Sequence, residues 1–287
     1  MMTRLVLSLL WLVHFLPLST QAVLGRALGR ALFLLVRERR QVTRTNLRLC
    51  FPTMPAAERE ALAKRHFEAF GRSFIERGLL WWADAARIRR LVHVVGEEHF
   101  AAAANRSVIL LAPHFVALDT GWTWFTLHRP MASIYSKQKN PMFNRALFEG
   151  RMRFNHPLLL SRQEGPRQIV KAMKTGRLFY YLPDMDYGRR DSIFVPFFGF
   201  PTATITGLSR LAAMTDAVVL PVITRMEGDR YRLEIGAAWD NFPTADPEAD
   251  TRRMNAFIEA EIADSPEQYL WMHKRFKTRP EGEKGVY

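Results

Sequence analysis

Short apolar segments alternate with amphipathic segments from residue 91 onward, and this alternation restricts the fold more than any other feature of the sequence. The apolar segments are rich in β-branched and aromatic residues, which is typical of strands. They are Leu91–Val95, Val108–Ala112, Ala132–Tyr135, Leu178–Leu182, Val218–Ile223 and Tyr231–Ile235. The segments between them include residues 141–153, 166–174 and 206–214, and a further helix is predicted over residues 248–262. This order predicts an α/β fold with a mixed, largely parallel sheet flanked by helices.

The N-terminal segment has a different character. No Lys, Arg, Asp or Glu lies between Arg4 and Arg26, and a span of about 20 apolar residues is long enough to cross a bilayer. The arginines that follow it predict a cytoplasmic main body by the positive-inside rule. We therefore predict a membrane anchor and interfacial helix over residues 1–40, and one domain over residues 41–287. A cleaved signal peptide and a core helix of a soluble protein are the alternatives.

The charge balance indicates an anionic partner. Lys and Arg number 41 against 28 acidic residues, for a net charge of +13. Such an excess favours nucleic acid, an acidic protein or anionic lipid, and charge alone does not choose among them. The composition, 48% hydrophobic and 24% charged, excludes global disorder. Cys50 is the only cysteine, so the chain forms no internal disulfide.

A histidine and an aspartate follow the second apolar segment. His114 comes directly after Pro113 at the predicted strand end, and Asp119 lies five positions further on. Five helical residues turn by about 500°, so the two side chains meet only if the chain bends between them. With such a bend, Asp119 orients the imidazole and His114 acts as a general base toward a hydroxyl group. A purely structural histidine at a strand end is the alternative.

Two further acids follow the strand predicted at residues 178–182. Asp184 and Asp186 lie in the segment Pro183-Asp-Met-Asp-Tyr-Gly188. Ligands of open α/β sheets bind beyond the carboxyl ends of the strands, so these acids are expected on the same side as His114. They are candidates for binding an acceptor hydroxyl or a cationic group. The alternative is that they stabilise a turn.

Other chemistries lack their usual motifs. The sequence has no Gly-x-Ser-x-Gly elbow, no His-Glu-x-x-His zinc motif, no P-loop and no dinucleotide glycine fingerprint. A hydrolase using the His and Asp pair stays open. A non-enzymatic nucleic-acid or membrane-binding protein would explain the positive charge but not the separate blocks around His114 and Asp184.

Several separated blocks carry a resemblance to a known family. They are His114 to Asp119, Lys139-Asn-Pro141, Ser161-Arg162, Gly176 to Gly188, Phe194 to Gly199 and Gln268 to Pro280. In this order the chain resembles the bacterial late lipid A biosynthesis acyltransferases, the lauroyl and myristoyl acyltransferases of the lysophospholipid acyltransferase-like superfamily. The related glycerol phosphate acyltransferases have a Pro-Glu-Gly block where this chain has Pro183-Asp184-Met185, which argues against a glycerolipid acceptor.

The resemblance implies a reaction and its partners. The donor is an acyl carrier protein thioester, and the acceptor is the hydroxyl of a Kdo-bearing lipid A precursor. His114 is the base and Asp119 orients it, while Arg162, Asp184 and Asp186 support substrate binding. No cofactor and no metal are implied. The same chemistry on another glycolipid, such as a phosphatidylinositol mannoside, is the nearest alternative.

The basic excess and the phenylalanines agree with these substrates. Lys137 and Arg145 follow the third predicted strand and are candidates for binding the phosphates of an anionic glycolipid. Phe194, Phe197, Phe198 and Phe200 are candidates for an apolar slot that holds the acyl chain. We expect an enzyme of the bacterial inner membrane with its catalytic domain facing the cytoplasm, and no nucleic-acid partner.

Overall fold

The computed structural model describes residues 2–287, apart from the side chain of Arg162. The α-helices are α1 Met2–Val13, α2 Leu18–Leu35, α3 Arg37–Cys50, α4 Ala56–Trp82, α5 Ala85–Leu91, α6 Glu97–Ala102, α7 Leu118–His128, α8 Pro141–Arg151, α9 Gly165–Lys174, α10 Gly207–Thr215 and α11 Pro247–Asp264. The strands are β1 Val92–Val95, β2 Val108–Leu111, β3 Met131–Tyr135, β4 Leu158–Ser161, β5 Leu178–Tyr181, β6 Ser192–Phe197, β7 Phe200–Ile205, β8 Val218–Glu227 and β9 Arg230–Ile235.

Seven strands form the central sheet in the order β1-β9-β8-β2-β5-β3-β4. Within this sheet β8 and β9 pair antiparallel, and the other neighbours run parallel. The predicted mixed, largely parallel sheet is therefore confirmed. Strand β2, which ends just before His114, occupies the middle of the sheet, with β8 on one side and β5 on the other.

Helices cover both faces of the sheet, as a sheet dominated by parallel strands requires. Along β2, Ile109 and Leu111 belong to one apolar core, and Val108 and Leu110 belong to the other. All four residues are buried, because successive side chains of a strand point to opposite faces. This explains why β2 appears in the sequence as a continuous apolar run.

The sequence did not predict strand β4 or the separate hairpin of β6 and β7. The hairpin turns at Phe198 and Gly199, whose φ angles are 51° and 73°. Two consecutive residues with positive φ are typical of a two-residue hairpin turn, in which glycine is favoured. Pro196 and Pro201, which face each other across the hairpin, masked the strand pattern because proline is rare inside sheets.

The N-terminal uncharged stretch folds as two helices. Helix α1 ends at Val13 and α2 begins at Leu18, directly after Pro17, which has no backbone N–H to donate to a preceding turn. Among residues 2–287, we find no helix that combines the length and the apolar character needed to cross a bilayer. The predicted anchor is not confirmed.

Helix α2 packs on α4 through glycines. A Cβ atom added at Gly25 would lie 2.3 Å from the Cα of Arg72, and one at Gly29 would lie 2.2 Å from the carbonyl oxygen of Phe67. Gly71 on α4 approaches the backbone of α2 equally closely. Contacts this short require the two backbones to touch, which only glycine permits. Helix α2 thus shares a packed interface with the rest of the protein.

Candidate active site

The register of β2 and β5 places His114 beside Asp184. The strands are parallel neighbours in which Leu111 pairs with Tyr181. Each strand continues for one residue and then reaches a proline, Pro113 or Pro183, so the next residues, His114 and Asp184, emerge side by side. This site lies at the carboxyl ends of the central strands, where the sequence predicted it.

Asp184 binds His114 at two points. Its Oδ1 lies 2.7 Å from His114 Nδ1, and its Oδ2 accepts the backbone N–H of His114 at 2.9 Å. Because an ionised carboxylate only accepts, Nδ1 carries the ring proton and Nε2 is left unprotonated. The side chain of Asp184 is 1% exposed and that of His114 is 14% exposed. The geometry therefore gives His114 the tautomer that a general base needs.

Burial would raise the pKa of Asp184, but the adjacent His114 outweighs it and lowers the pKa below its usual value. The carboxylate therefore stays ionised at neutral pH. An ionised partner stabilises the imidazolium that forms when His114 takes a proton.

Asp119 has another partner. It lies in the first turn of α7, and its Oδ1 accepts hydrogen bonds from Arg151 Nε at 3.0 Å and Nη2 at 2.6 Å. The carboxylate that holds the His114 ring is thus that of Asp184, whereas the sequence assigned this position to Asp119. The reason is geometric: after β2 the chain turns through residues 115–117 before α7 begins, and α7 directs Asp119 toward the end of α8.

Asp119 still belongs to the same electrostatic environment. Burial would raise its pKa, but Arg151 and Arg77 outweigh burial and lower it, with a smaller contribution from His114. Arg77 lies on α4, and its pKa is lowered mainly by burial. Asp119 and its two arginines together carry one positive charge, which balances the negative charge of Asp184.

Asp186 is occupied by contacts within the protein. Its Oδ1 accepts from Gly188 N at 2.9 Å and Thr278 Oγ1 at 2.7 Å, and its Oδ2 accepts from Thr278 N at 2.7 Å. This is the turn-stabilising arrangement that the sequence left open as an alternative. The contacts tie the loop after β5 to the C-terminal segment.

The three predicted basic residues lie elsewhere or are not described. Lys137 is exposed in the loop after β3. Arg145 is exposed on α8 and forms an ion pair with Glu149 at 2.7 Å. The side chain of Arg162 lies outside the described residues, although its backbone begins a short 3-10 helix after β4. The structure does not bring Lys137 or Arg145 into contact with His114.

An apolar cavity of about 300 Å³ opens next to the His114 and Asp184 pair. Its lining residues are Leu32, Val36, Arg39, Phe67, Phe70, Met185, Leu270, Met272 and His273. Met185 directly follows Asp184, and Leu270 N–H donates to the carbonyl oxygen of His114 at 2.9 Å. This volume is at the lower end of the range for ligand pockets, roughly 300–1,000 Å³.

The predicted slot around Phe194–Phe200 is not this cavity. Phe197 is buried in the core, and Phe198 and Phe200 pack against the same core, where Phe200 makes an edge contact with Phe276. None of these rings lines the cavity beside His114. The cavity is lined instead by the helices near the N-terminus and by the segment at residues 270–273.

Sequence reasoning missed the partners of Asp119. Arg151 lies among the basic residues that follow the third predicted strand, but neither it nor Arg77 was singled out. Arg151 is the last residue of α8, on the turn that faces Trp122, whose Nε1 donates to the Arg151 carbonyl oxygen at 3.1 Å. No local pattern pairs Arg151 with Asp119, because the two residues lie 32 positions apart on different helices.

A histidine held by a buried carboxylate at the end of a parallel sheet, near an apolar cavity, is the arrangement expected of an enzyme whose substrate has a hydroxyl and an apolar chain. Comparison with known proteins agrees with this class. The family model for bacterial lipid A biosynthesis acyltransferases matches residues 1–278. The chain belongs to this family, and the acyltransferase resemblance drawn from the sequence is confirmed.

Curated relatives in Escherichia coli (strain K12) extend along nearly the whole chain. The lipid A biosynthesis lauroyltransferase is 36% identical over 98% of this chain and 93% of its own length. The lipid A biosynthesis palmitoleoyltransferase is 35% identical over 98% and 92%. The lipid A biosynthesis myristoyltransferase is 33% identical over 91% and 81%.

Proposed function

We propose that this protein transfers a fatty acyl chain from an acyl carrier protein thioester to a hydroxyl of a Kdo-bearing lipid A precursor. The observation that carries the proposal is the Asp184–His114 pair, which leaves Nε2 of His114 unprotonated, near an apolar cavity whose lining includes Met185, the residue after Asp184. The cavity supplies a place for the acyl chain, and the histidine supplies the base for the hydroxyl. Membership of the lipid A acyltransferase family supports the substrate class.

The reaction needs one proton acceptor and one electrophile. Nε2 of His114 takes the proton of the acceptor hydroxyl, and the oxygen attacks the thioester carbonyl carbon. The tetrahedral intermediate then collapses, the C–S bond breaks, and the carrier thiolate takes the proton back from His114. Asp184 stays ionised throughout and stabilises the imidazolium between the two proton transfers.

Asp119 contributes through Arg151 in this proposal. The guanidinium is held by two hydrogen bonds to one carboxylate oxygen, and its side chain is still 21% exposed. An arginine held in this way can bind a phosphate or a developing oxyanion without first losing side-chain freedom. Asp119 is therefore a positioning residue for Arg151, whereas Asp184 positions the base.

The acyl chain length depends on the far wall of the cavity. Relatives of similar identity are named for lauroyl, palmitoleoyl and myristoyl transfer, so family membership alone selects no chain. The cavity wall is formed by Leu32, Phe67 and Phe70, among others. Bulky side chains at the closed end limit the length of chain that fits.

Inner-membrane association with a cytoplasmic catalytic domain is part of the proposal. Met2, Leu5, Leu9 and Leu12 recur at helical spacing on α1 and are between 50% and 81% exposed. An exposed apolar stripe on a helix that packs on the body through its other side suits the interface of a bilayer. The net charge of +13 favours a leaflet that contains anionic lipid.

The test is a transfer assay with purified protein in detergent. We would supply dodecanoyl, tetradecanoyl and hexadecenoyl acyl carrier protein with a Kdo-bearing lipid A precursor and follow the lipid by mass spectrometry. We expect one added acyl chain, abolished in His114→Ala and retained in the exposed control His93→Gln. Free fatty acid without acylated lipid would indicate a hydrolase. Transfer only to a different glycolipid would refute the acceptor but keep the reaction class.

A further inference from the structure

The apolar cavity near His114 is lined by another histidine, His273, which the proposed mechanism does not use. Among its lining residues, Arg39 and His273 have polar side chains, and the others are apolar or Met. His273 lies in the segment that follows Leu270, whose N–H binds the carbonyl oxygen of His114. A polar ring on the wall of a largely apolar cavity is suited to bind the polar group that an acyl thioester carries, its carbonyl.

The protonation state of the His273 ring follows from its contacts. The backbone N–H of Asp186 donates to His273 Nε2 at 3.1 Å. A nitrogen that accepts from a peptide N–H is unprotonated, so the proton of the neutral ring resides on Nδ1. No described residue accepts a hydrogen bond from Nδ1. The ring therefore carries one N–H donor that has no acceptor among the described residues, on a residue that lines the cavity.

The supporting contacts hold this donor in place. The carbonyl oxygen of His273 accepts hydrogen bonds from Asn46 Nδ2 at 2.7 Å and from the backbone N–H of Arg275 at 2.9 Å. Asp186, which holds the ring, is itself fixed by Thr278 and Gly188. The donor is thus held in place. A group that stabilises a transition state must be preorganised in this way.

His273 also stays neutral near neutral pH. Burial, assisted by the charge of His114, lowers the pKa of His273 to about 4. The ring is therefore a hydrogen-bond donor rather than a second base. The loop after β5 connects the two rings, because Asp184 binds His114 and Asp186, two residues later, binds His273.

We propose that Nδ1–H of His273 donates a hydrogen bond to the carbonyl oxygen of the bound thioester and stabilises the negative charge that forms there during transfer. This inference rests on the proposed function, because it needs a thioester in the cavity. When the hydroxyl oxygen attacks, the carbonyl π electrons move onto that oxygen. When the C–S bond breaks, they return, and the donor keeps its proton throughout.

Two substitutions separate this role from a structural one. In His273→Gln the side-chain oxygen can still accept from Asp186 N–H, but the Nδ1 donor is lost. In His273→Asn the amide nitrogen lies near the position of Nδ1, but the acceptor for Asp186 is lost. If the ring only anchors the loop, Gln restores function and Asn does not.

We expect His273→Gln to fold normally and to lower kcat about 10²- to 10³-fold, as removal of an oxyanion donor does, with KM changed only a few-fold. His273→Asn should recover at least about tenfold in kcat over His273→Gln, if its amide replaces the donor. Full activity in His273→Gln, or no advantage of Asn over Gln, would overturn the proposal. His93→Gln, an exposed histidine on β1, is the matched control.

A binding measurement tests the same contact without turnover. The probes are two unreactive analogues of the preferred thioester, a ketone that keeps the carbonyl and a thioether that lacks it. We expect wild type to bind the ketone about tenfold more tightly, which is the value of one good hydrogen bond, and His273→Gln to lose this preference. A preference retained in His273→Gln refutes the role of His273 alone. Wild type that binds neither analogue and consumes no thioester refutes the proposed function and this inference with it.

Discussion

Asp184 and Asp119, the two carboxylates that follow from the strand ends around His114, hold different groups. Asp184 contacts both the backbone and the ring of His114, and Asp119 is bound to Arg151. Each carboxylate has its pKa lowered, so both are ionised at neutral pH. The two carboxylates therefore differ in the group they hold rather than in their charge.

Replacing either carboxylate by its amide should separate these tasks. We expect Asp184→Asn to lower kcat by about 10³- to 10⁴-fold, because the ring loses the acceptor that selects its tautomer. Asp119→Asn should also lower transfer, by about 10²-fold through misplacement of Arg151, while the tautomer of His114 is unchanged. The measurements are kcat and the ¹⁵N shifts of the His114 ring.

Asp191→Asn is the control for these variants, because Asp191 is an exposed residue of the same loop. An unchanged His114 tautomer in Asp184→Asn, or a changed one in Asp119→Asn, would contradict the assignment of Asp184 as the orienting residue.

Buried His66 predicts an acid limit to stability. Burial lowers its pKa from 6.5 to about 4, outweighing the hydrogen bond of its Nδ1 to the Glu267 carbonyl oxygen. Below pH 6.5 His66 binds a proton in the unfolded chain but not in the folded protein. The contribution of His66 to stability is therefore fully present above pH 6.5 and falls as the pH drops toward 4. The loss for this group approaches about 1.4 kcal/mol per pH unit.

The measurement is the free energy of unfolding of the detergent-solubilised protein at pH 7 and pH 5. His66→Gln should lose less stability between these two pH values than wild type, whereas His93→Gln should match wild type. An equal loss in His66→Gln and wild type would assign the acid sensitivity to other groups.

The candidate site lies at the ends of β2 and β5. The contact between α2 and α4 forms one wall of the nearby cavity. Leu32 of α2 and Phe67 of α4 both line the cavity. The glycines at the helix contact set how closely α2 approaches α4. The spacing of these two helices therefore controls the shape of the cavity.

Gly29→Ala tests this contact. Alanine in a helix interior normally stabilises by about 1 kcal/mol relative to glycine. Here the added Cβ would meet the Phe67 carbonyl oxygen at 2.2 Å, so we expect destabilisation by about 1–3 kcal/mol. Denaturant unfolding measures the change, and Ala27→Ser on the exposed side of α2 should stay within about 0.5 kcal/mol of wild type. A stabilised Gly29→Ala would show that the helices can separate.

Across the whole protein, the exposed apolar side chains and the net positive charge both favour binding to a membrane surface. Most of the large hydrophobic side chains that are strongly exposed lie on α1, α2 and their connection. The opposite side of α1 packs on the body, where Leu10 is 2% exposed and Thr3 accepts a hydrogen bond from Asn140. This arrangement predicts membrane binding through an apolar stripe assisted by charge.

Vesicle flotation tests this prediction. We expect wild type to bind vesicles with anionic lipid more tightly than neutral ones, and the difference to shrink between about 0.1 M and 1 M salt because the screening length falls from about 10 Å to 3 Å. Replacing Leu5, Leu9 and Leu12 by Ser should weaken binding to both kinds of vesicle without unfolding the protein. Met214→Ser, on exposed α10, is the control. Equal binding of the triple variant and wild type would place the membrane surface elsewhere.

Most strands of the central sheet, and the placement of His114 at a strand end, were predictable from sequence alone. Apolar runs such as Val108–Ala112 and Leu178–Leu182 are continuous because both faces of their strands are buried. They could therefore be predicted to be strands without a structure. His114 and Asp184 each follow such a run. In open α/β sheets, ligands bind beyond the carboxyl ends of the strands. The separated sequence blocks indicated the family, and comparison with known proteins confirms it.

Which side chains contact each other depends on how distant parts of the chain pack together. The partner of His114 lies 70 residues away and was selected by the parallel register of β2 and β5, whereas Asp119, five residues away, is directed by α7 toward Arg151. The cavity is formed by α2, α4 and the C-terminal segment, which are remote in sequence from the phenylalanines first suggested for it. Strand and helix periodicity are local properties, but pairing across the chain depends on strand order and helix packing, which local patterns do not specify.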